Sequence, residues 1–272
     1  MNNATLGILV MAAGKGTRMK SGLPKVLLPI LDKPMLGYLL KTVLDCESDG
    51  IAVLVGHRGE LVRDYLKAFP AIETLWQREQ LGTGHAVQAA RPWWERFDHL
   101  LVLNGDLPLM SSATLRSFWR EHRDAEAHCS LLSFFTERPE GYGRVIRRPD
   151  GGVAVVEHKD ASPQQRLVKE VNAGCYVFDV KRLSSVIGRI KNDNAQGEYY
   201  LPDVVASMSE AGMMVRASTS AADEDETLGV NTQGELAAMT ARVRNAVVEH
   251  WMTKGVRVMD PSAVWIGPDA EL

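Results

Sequence analysis

Two glycines set among cations are the first residues here whose spacing could do chemistry. The segment Leu9-Val-Met11-Ala12-Ala-Gly14-Lys15-Gly16-Thr17-Arg18-Met19 follows an apolar run, Leu6 to Met11, that reads as a buried strand. Glycines let the main chain approach a ligand closely, and successive amide N–H groups can then cradle an anion. From Lys15 to Lys25 stand four cations (Lys15, Arg18, Lys20, Lys25) and no acid, a local positive pole. Two familiar phosphate loops are excluded. A dinucleotide fingerprint needs a third glycine where Met19 stands, and a Walker A loop needs Gly-Lys-Ser/Thr after four spacers. A second candidate is Asp106, which follows the apolar run Leu100 to Leu103 and so falls at the carboxyl end of a strand, where ligands bind in open α/β sheets. A carboxylate there suits Mg²⁺, which prefers oxygen donors and bridges substrate phosphates.

The elements that must position these residues are short apolar runs alternating with helical patterns. Leu6–Met11, Ile51–Gly56, Ile72–Gln77 and Leu100–Leu103 read as strands, separated by helices over Met35–Asp45, Gly59–Phe69 and Thr83–Trp94. Continuous Val/Ile/Leu runs, rather than alternation, indicate strands covered on both faces. The fold class is therefore α/β: a doubly wound, mostly parallel sheet. From about Ala127 the rhythm changes to strand-like stretches at Cys129–Phe135, Gly143–Arg147, Val153–Glu157 and Glu170–Phe178, with Pro149-Asp-Gly-Gly152 as a hairpin turn. These extend the same sheet with antiparallel members. Helices follow over Lys181–Ile190 and Leu201–Ala211. The last helix carries a capping box, Thr232-Gln-Gly-Glu235, with Leu236, Met239, Val243 and Val247 on one face and Gly255 as its stop.

Composition narrows the function classes. Of 272 residues, 31 are Lys or Arg and 34 Asp or Glu, a net charge of −3, so no general positive field invites nucleic acid or an anionic membrane. Any phosphate chemistry must be local. Hydrophobic residues at 45% exclude a disordered chain. Cys46, Cys129 and Cys175 are odd in number and far apart, which argues against a disulfide framework or a zinc site. Met1-Asn2-Asn3 has no basic character, the first apolar run ends by Gly14-Lys15, and no stretch approaches the ~20 residues of a membrane span. A reduced, cytoplasmic protein is expected.

Ala12-Ala-Gly-Lys-Gly-Thr-Arg-Met19 followed by Leu23-Pro-Lys25 resembles the signature of sugar nucleotidyltransferases. From about Leu6 to Pro261 the chain is similar to the uridyltransferase domain of the bacterial N-acetylglucosamine-1-phosphate uridyltransferases. The resemblance rests on Gln77-x-x-Gln80-Leu-Gly-Thr-Gly-His85-Ala, Asn104-Gly-Asp106-Leu-Pro108, Gly141-Tyr-Gly-Arg144, Val156-Glu-His-Lys-Asp160, Val171-Asn172-Ala-Gly174, Asn194-Ala-Gln-Gly-Glu-Tyr-Tyr200 and Gly229-Val-Asn231, all in the family's order.

That resemblance implies transfer of UMP from UTP to N-acetylglucosamine 1-phosphate, giving UDP-N-acetylglucosamine and pyrophosphate for cell-wall precursor synthesis. It places Met11, Ala12, Gln77, Gln80, Gly82 and Thr83 at the uracil, and a glutamine amide, both donor and acceptor, suits the O4 and N3–H edge of that base. Gly14, Lys15 and Gly16 join them in holding the nucleotide. Gly143, Glu157 and Asn172 are implied at the amino sugar, and Asn231 beside Asp106 at Mg²⁺; Asn231 could equally cap the following helix. Arg18 and Lys15 are assigned to the β,γ-phosphates, and Lys25 to the α-phosphate and its developing charge. Two other readings stand beside this one: a transferase using glucose 1-phosphate or dTTP, and a nucleotide-sugar-binding protein that has lost turnover. Asn104 departs from the Tyr or Ser more usual at its position.

The resemblance also divides the chain. Residues 1–254 are expected to form the nucleotidyltransferase domain, and 255–272 to be the start of a left-handed β-helix. In two-activity family members that helix carries an acetyltransferase and builds a trimer. A solenoid needs about three repeats to bury a core, so acetyl transfer is not expected of these residues, and a trimer only with the full β-helix.

Overall fold

The apolar runs at Leu6–Met11, Ile51–Gly56 and Leu100–Leu103 become the centre of one sheet, because each has buried residues on both faces, while Ile72–Gln77 takes an edge. A computed structural model of the chain describes residues 4–219 and 225–272; Met1–Asn3, read above for a leader, lie outside them. In chain order the elements are β1 (Leu6–Ala12), a two-residue hairpin of β2 (Pro29–Ile30) and β3 (Lys33–Pro34), α1 (Met35–Leu44), β4 (Gly50–Val55), α2 (Gly59–Leu66) and β5 (Ile72–Trp76). Then come α3 (Thr83–Ala89), α4 (Arg91–Trp94), β6 (His99–Asn104), α5 (Ser112–Asp124), β7 (Cys129–Phe135), β8 (Arg144–Arg147), β9 (Val153–Val156), α6 (Pro163–Arg166) and β10 (Glu170–Asp179). The chain continues through α7 (Val180–Val186), α8 (Pro202–Glu210), β11 (Val215–Ser218) and α9 (Gln233–Thr253).

The main sheet has the order β11-β7-β10-β6-β1-β4-β5, with β8 paired to β10 and β9 paired to β8. Pairs β6–β1, β1–β4, β4–β5 and β11–β7 are parallel, while β10 runs antiparallel to β6, β7 and β8. The parity of the strands sorts their side chains. Ile8, Val10, Val53, Val55, Leu101 and Leu103 face one layer with α1, α2 and α5, whereas Leu9, Ala52, Leu54, Leu100 and Val102 face the layer of α3, α4, α7 and α8. A third cluster joins Met239 and Val243 of α9 to Met19, Leu28, Ile30, Met35 and Val230, so the last helix braces the phosphate loop from behind. The Gln233 amide adds a hydrogen bond to the Met19 carbonyl at 2.8 Å.

The expected helix over Thr83–Trp94 is two helices, broken at Ala90, because Pro92 has no N–H to give the Gln88 carbonyl. The helix expected over Lys181–Ile190 ends at Val186 and passes into a tighter turn, Ile187–Arg189; its start is fixed by the Asp179 carboxylate, which accepts from the Arg182 amide at 2.9 Å. Besides α5 and the one-turn α6, a hairpin and an edge strand escaped the sequence reading. The β2–β3 hairpin is too short to show a period, and β11 is a four-residue edge strand with a polar residue at every second place. Among the described residues no strand or helix follows α9. Residues 256–272 are turns folded back on the body, with Lys33 on Asp269 at 2.5 Å and the Arg244 guanidinium 5.2 Å from the Trp265 ring centroid.

The capping box of α9 is formed in full: Thr232 Oγ1 accepts from the Glu235 amide at 3.2 Å, and the Glu235 carboxylate accepts from the Thr232 amide at 3.0 Å. Thr232→Ala removes one of these bonds and should cost about 1 kcal/mol, lowering the melting temperature by about 2–4 °C for a domain near this size; differential scanning calorimetry reads the shift directly.

Candidate active site

The strand order sets the place of the site. β1 has β4 on one side and β6 on the other, so the loops leaving β1 and β6 diverge and open a crevice at the strands' carboxyl ends. A cleft of about 630 Å³ lies there. Its walls include Met11, Ala12, Gly14, Lys15, Gly16 and Arg18 from the phosphate loop, Lys25, then Gln77, Gln80, Gly82 and Thr83 after β5, Asp106 after β6, Glu157 after β9, and Asn231 before α9.

The phosphate loop turns through Gly16, whose φ of 58° lies in the left-handed region, and a Cβ there would stand 2.9 Å from that of Lys25. The loop therefore packs against the stem of Lys25 only because residue 16 lacks a side chain. The Lys25 ammonium in turn bonds the Asp106 carboxylate and the Asn231 side-chain oxygen, the latter at 3.0 Å, and Arg18 reaches the same Asn231 oxygen at 2.9 Å. Two oxygens from distant parts of the chain thus converge on one positive group. Asn231 does not cap α9, since Thr232 does; its side chain is left to the cleft. Lys15 and Arg18 stand exposed at the mouth, with no carboxylate bonded to either among the described residues.

At one end, Gln77 is buried and its amide nitrogen donates to the Gly82 carbonyl at 3.1 Å and lies 3.0 Å from His85 Nδ1. The Gln80 amide nitrogen donates to the Gln77 carbonyl at 2.9 Å. Both side chains are thereby immobilised. Gly82 (φ 112°) cannot carry a side chain, because a Cβ would fall 2.5 Å from the Tyr199 carbonyl. That contact, together with Leu201 N donating to Thr83 Oγ1 at 3.0 Å, pins this loop to the segment before α8.

At the other end, Glu157 is half-buried and its carboxyl is pushed up to about 7, chiefly by desolvation and then by the nearby Asp160 and Asp203 carboxylates; the Arg144 charge pulls the other way. Gly143 and Asn172, expected at the sugar, do not line the cleft and sit one layer behind Glu157. The Asn172 amide is bound within the fold, donating to Tyr176 Oη at 2.6 Å and accepting from Gly174 N at 3.2 Å. Gly143 packs tightly under this wall, since a Cβ there would lie 2.9 Å from Val155 Cγ1. Sequence reasoning passed over His158, Lys159 and Gln196, which also form this wall together with Glu198. Their signal was adjacency, for each lies inside a motif already singled out. Among the described residues no three His, Cys, Asp or Glu side chains cluster as a ready metal site, and no helix is long and apolar enough to cross a membrane.

The fold and crevice are those of a nucleotide-dependent transferase, and the chain belongs to the family of MobA-like NTP transferase domains, which matches residues 8–193. It is 43% identical over 263 residues to the bifunctional protein GlmU of Exiguobacterium sibiricum, covering 96% of this chain and 58% of that protein. A Thermus thermophilus protein of the same name is also 43% identical, with 97% and 57% covered. The chain therefore spans somewhat over half the length of these curated relatives. In fold it matches a UDP-glucose pyrophosphorylase solved with UDP-glucose, with a TM-score of 0.70 at 15% identity over 92% of this chain and 99% of that one.

The raised Glu157 carboxyl has a consequence for stability. The folded state holds this proton more tightly than the unfolded chain, so the group is without penalty below about pH 4.5 and destabilises increasingly as pH rises through about 7. Glu157→Gln should raise the melting temperature by a few degrees at pH 8 and lose that advantage at pH 5, as thermal denaturation at the two pH values would show.

Proposed function

We propose that this chain transfers the uridylyl group of UTP to N-acetylglucosamine 1-phosphate, releasing pyrophosphate and forming UDP-N-acetylglucosamine. The observation that carries the proposal is the convergence of Arg18, Lys25, Asp106 and Asn231 between a wall of fixed glutamines and a wall bearing Glu157. Residues 1–254 form the catalytic unit. Gln77 and Gln80 read uracil with Met11, Ala12, Gly82 and Thr83 around it. Gly14, Lys15, Gly16 and Arg18 hold the β,γ-phosphates. Glu157 accepts from sugar hydroxyls, with Gly143 and Asn172 shaping the wall behind it.

A sugar monophosphate is mostly a dianion at neutral pH, its second pKa lying near 6. One of its oxygens attacks the α-phosphorus of UTP, and the bond to the oxygen bridging α and β breaks as pyrophosphate leaves. No proton has to be removed from the nucleophile. The task for the protein is to hold two anions in line and to offset the charge that builds between them. Lys25 is placed for that charge, with Arg18 at the departing pyrophosphate.

The Asp106 and Asn231 oxygens fit a divalent cation, because a carboxylate and an amide oxygen already converge on one cationic group, the Lys25 ammonium. Mg²⁺ suits a site of one carboxylate and one carbonyl oxygen, since it keeps several waters and takes phosphate oxygens as further ligands. When bound it neutralises and aligns the phosphates. With those two oxygens holding the ion, the Lys25 charge would be left for the α-phosphate.

Pyrophosphate release from UTP and N-acetylglucosamine 1-phosphate with Mg²⁺ tests the proposal. Turnover is expected to fall by at least about 100-fold in Asp106→Ala; no release by the native chain, or equal release by the variant, would overturn it. In a panel, release with glucose 1-phosphate or dTTP but not this pair would assign a different substrate. For Lys25→Ala the expected outcome is a kcat loss of about 100-fold with a much smaller change in UTP affinity, measured by calorimetry, because its charge acts mainly in the transition state.

A further inference from the structure

Arg144 is the one guanidinium among the described residues that is almost wholly buried, at 1% exposure, and no carboxylate is bonded to it. It lies at the junction of three strands, opposite Val156 of β9 and Val171 of β10. Its two terminal nitrogens reach the Tyr142 carbonyl and His158 Nδ1, the latter at 3.2 Å, while its Nε is buried without a partner. A buried charge so incompletely satisfied is costly to keep, which points to a role at the cleft wall directly in front of it, where His158 and Glu157 stand side by side.

The chemistry of the contact fixes that role. A guanidinium only donates hydrogen bonds, so His158 Nδ1 must accept, and the ring then carries its proton on Nε2. Glu157 beside it accepts when ionised. We infer that Arg144 is a positioning residue that locks His158 as an N–H donor in the sugar end of the cleft, so that His158 binds an acceptor oxygen of the sugar 1-phosphate while Glu157 takes a hydroxyl donor. A fixed donor beside an acceptor suits a polyhydroxyl ligand better than two acceptors would, since a hydroxyl both donates and accepts. This inference rests on the proposed transferase reaction.

Two measurements on the full chain test it. First, ¹⁵N-edited NMR of the histidine rings should show His158 with the Nε2–H tautomer; an Nδ1–H tautomer overturns the inference whatever the activity. Second, steady-state kinetics should give His158→Leu a KM for N-acetylglucosamine 1-phosphate raised about tenfold, the weight of one lost hydrogen bond, with the KM for UTP unchanged. His158→Gln, which keeps an N–H donor, should recover most of the loss, and Arg144→Lys should move the same KM in the same direction by less. An unchanged sugar-phosphate KM in His158→Leu, a parallel rise in both KM values, or a Gln variant as poor as Leu overturns it. If the native chain turns over no sugar 1-phosphate, the transferase reading falls with the proposed role of His158 in it, and the NMR measurement still decides the Arg144–His158 pairing.

Discussion

One ammonium group, that of Lys25, sets the terms for the rest of the site. It bonds the carboxylate of a residue 81 positions later and the amide oxygen of one 206 positions later. Like charges would otherwise drive Lys15, Arg18 and Lys25 apart, and the carboxylate of Asp106 with the dipole of Asn231 is what lets them share a crevice. Close approach requires missing side chains. A Cβ at Gly16 would press on Lys25, and one at Gly105 would stand 2.9 Å from the Met11 carbonyl, wedging β1 from the turn that carries Asp106. The sheet supplies the remaining constraint, since β1 and β6 are parallel neighbours whose carboxyl ends point to the same side.

This arrangement favours chemistry by placement. Both substrates of the proposed reaction are anions, and their repulsion is the main barrier to encounter. Cations in a partly enclosed cleft are worth more than in water, and being already oriented they need little reorganisation during reaction. The same low-dielectric surroundings act at the far wall with opposite sign: Glu157 is held back from ionising by burial and by Asp160 and Asp203, and the buried Arg144 charge partly offsets them. Cleft recognition is thus divided between a cationic mouth and a polar floor whose hydrogen-bonding senses are set from behind.

Much of this was legible in the residues because the relevant physics is local. Continuous Val, Leu and Ile runs marked the central strands, and glycines beside Lys15 and Arg18 marked the phosphate loop, since turn geometry and charge need only a dozen contiguous residues. The capping box of α9 was readable for the same reason. Some misses were local signals passed over, the Pro92 stop and the Ser111 cap of α5, and others depended on tertiary partners. Pro92 breaks a periodic helical pattern, and β11 exists only because β7 offers it an edge. Asn231 beside Asp106 could be expected only through family resemblance, as no spacing rule links positions so far apart. Gly143 and Asn172 fall just behind the cleft, where the Asn172 amide is taken up by Tyr176 Oη and Gly174 N, while His158, adjacent to a residue already chosen, lines it.

The central claim is that charge placement alone carries a single in-line displacement, with the sugar phosphate attacking UTP directly and no uridylyl group passing through the protein. The stereochemical course at the α-phosphorus tests this most directly. With UTP bearing a chiral α-thiophosphate, one displacement predicts inversion of configuration in the UDP-sugar product. Retention would show two displacements through a covalent intermediate and would contradict the account.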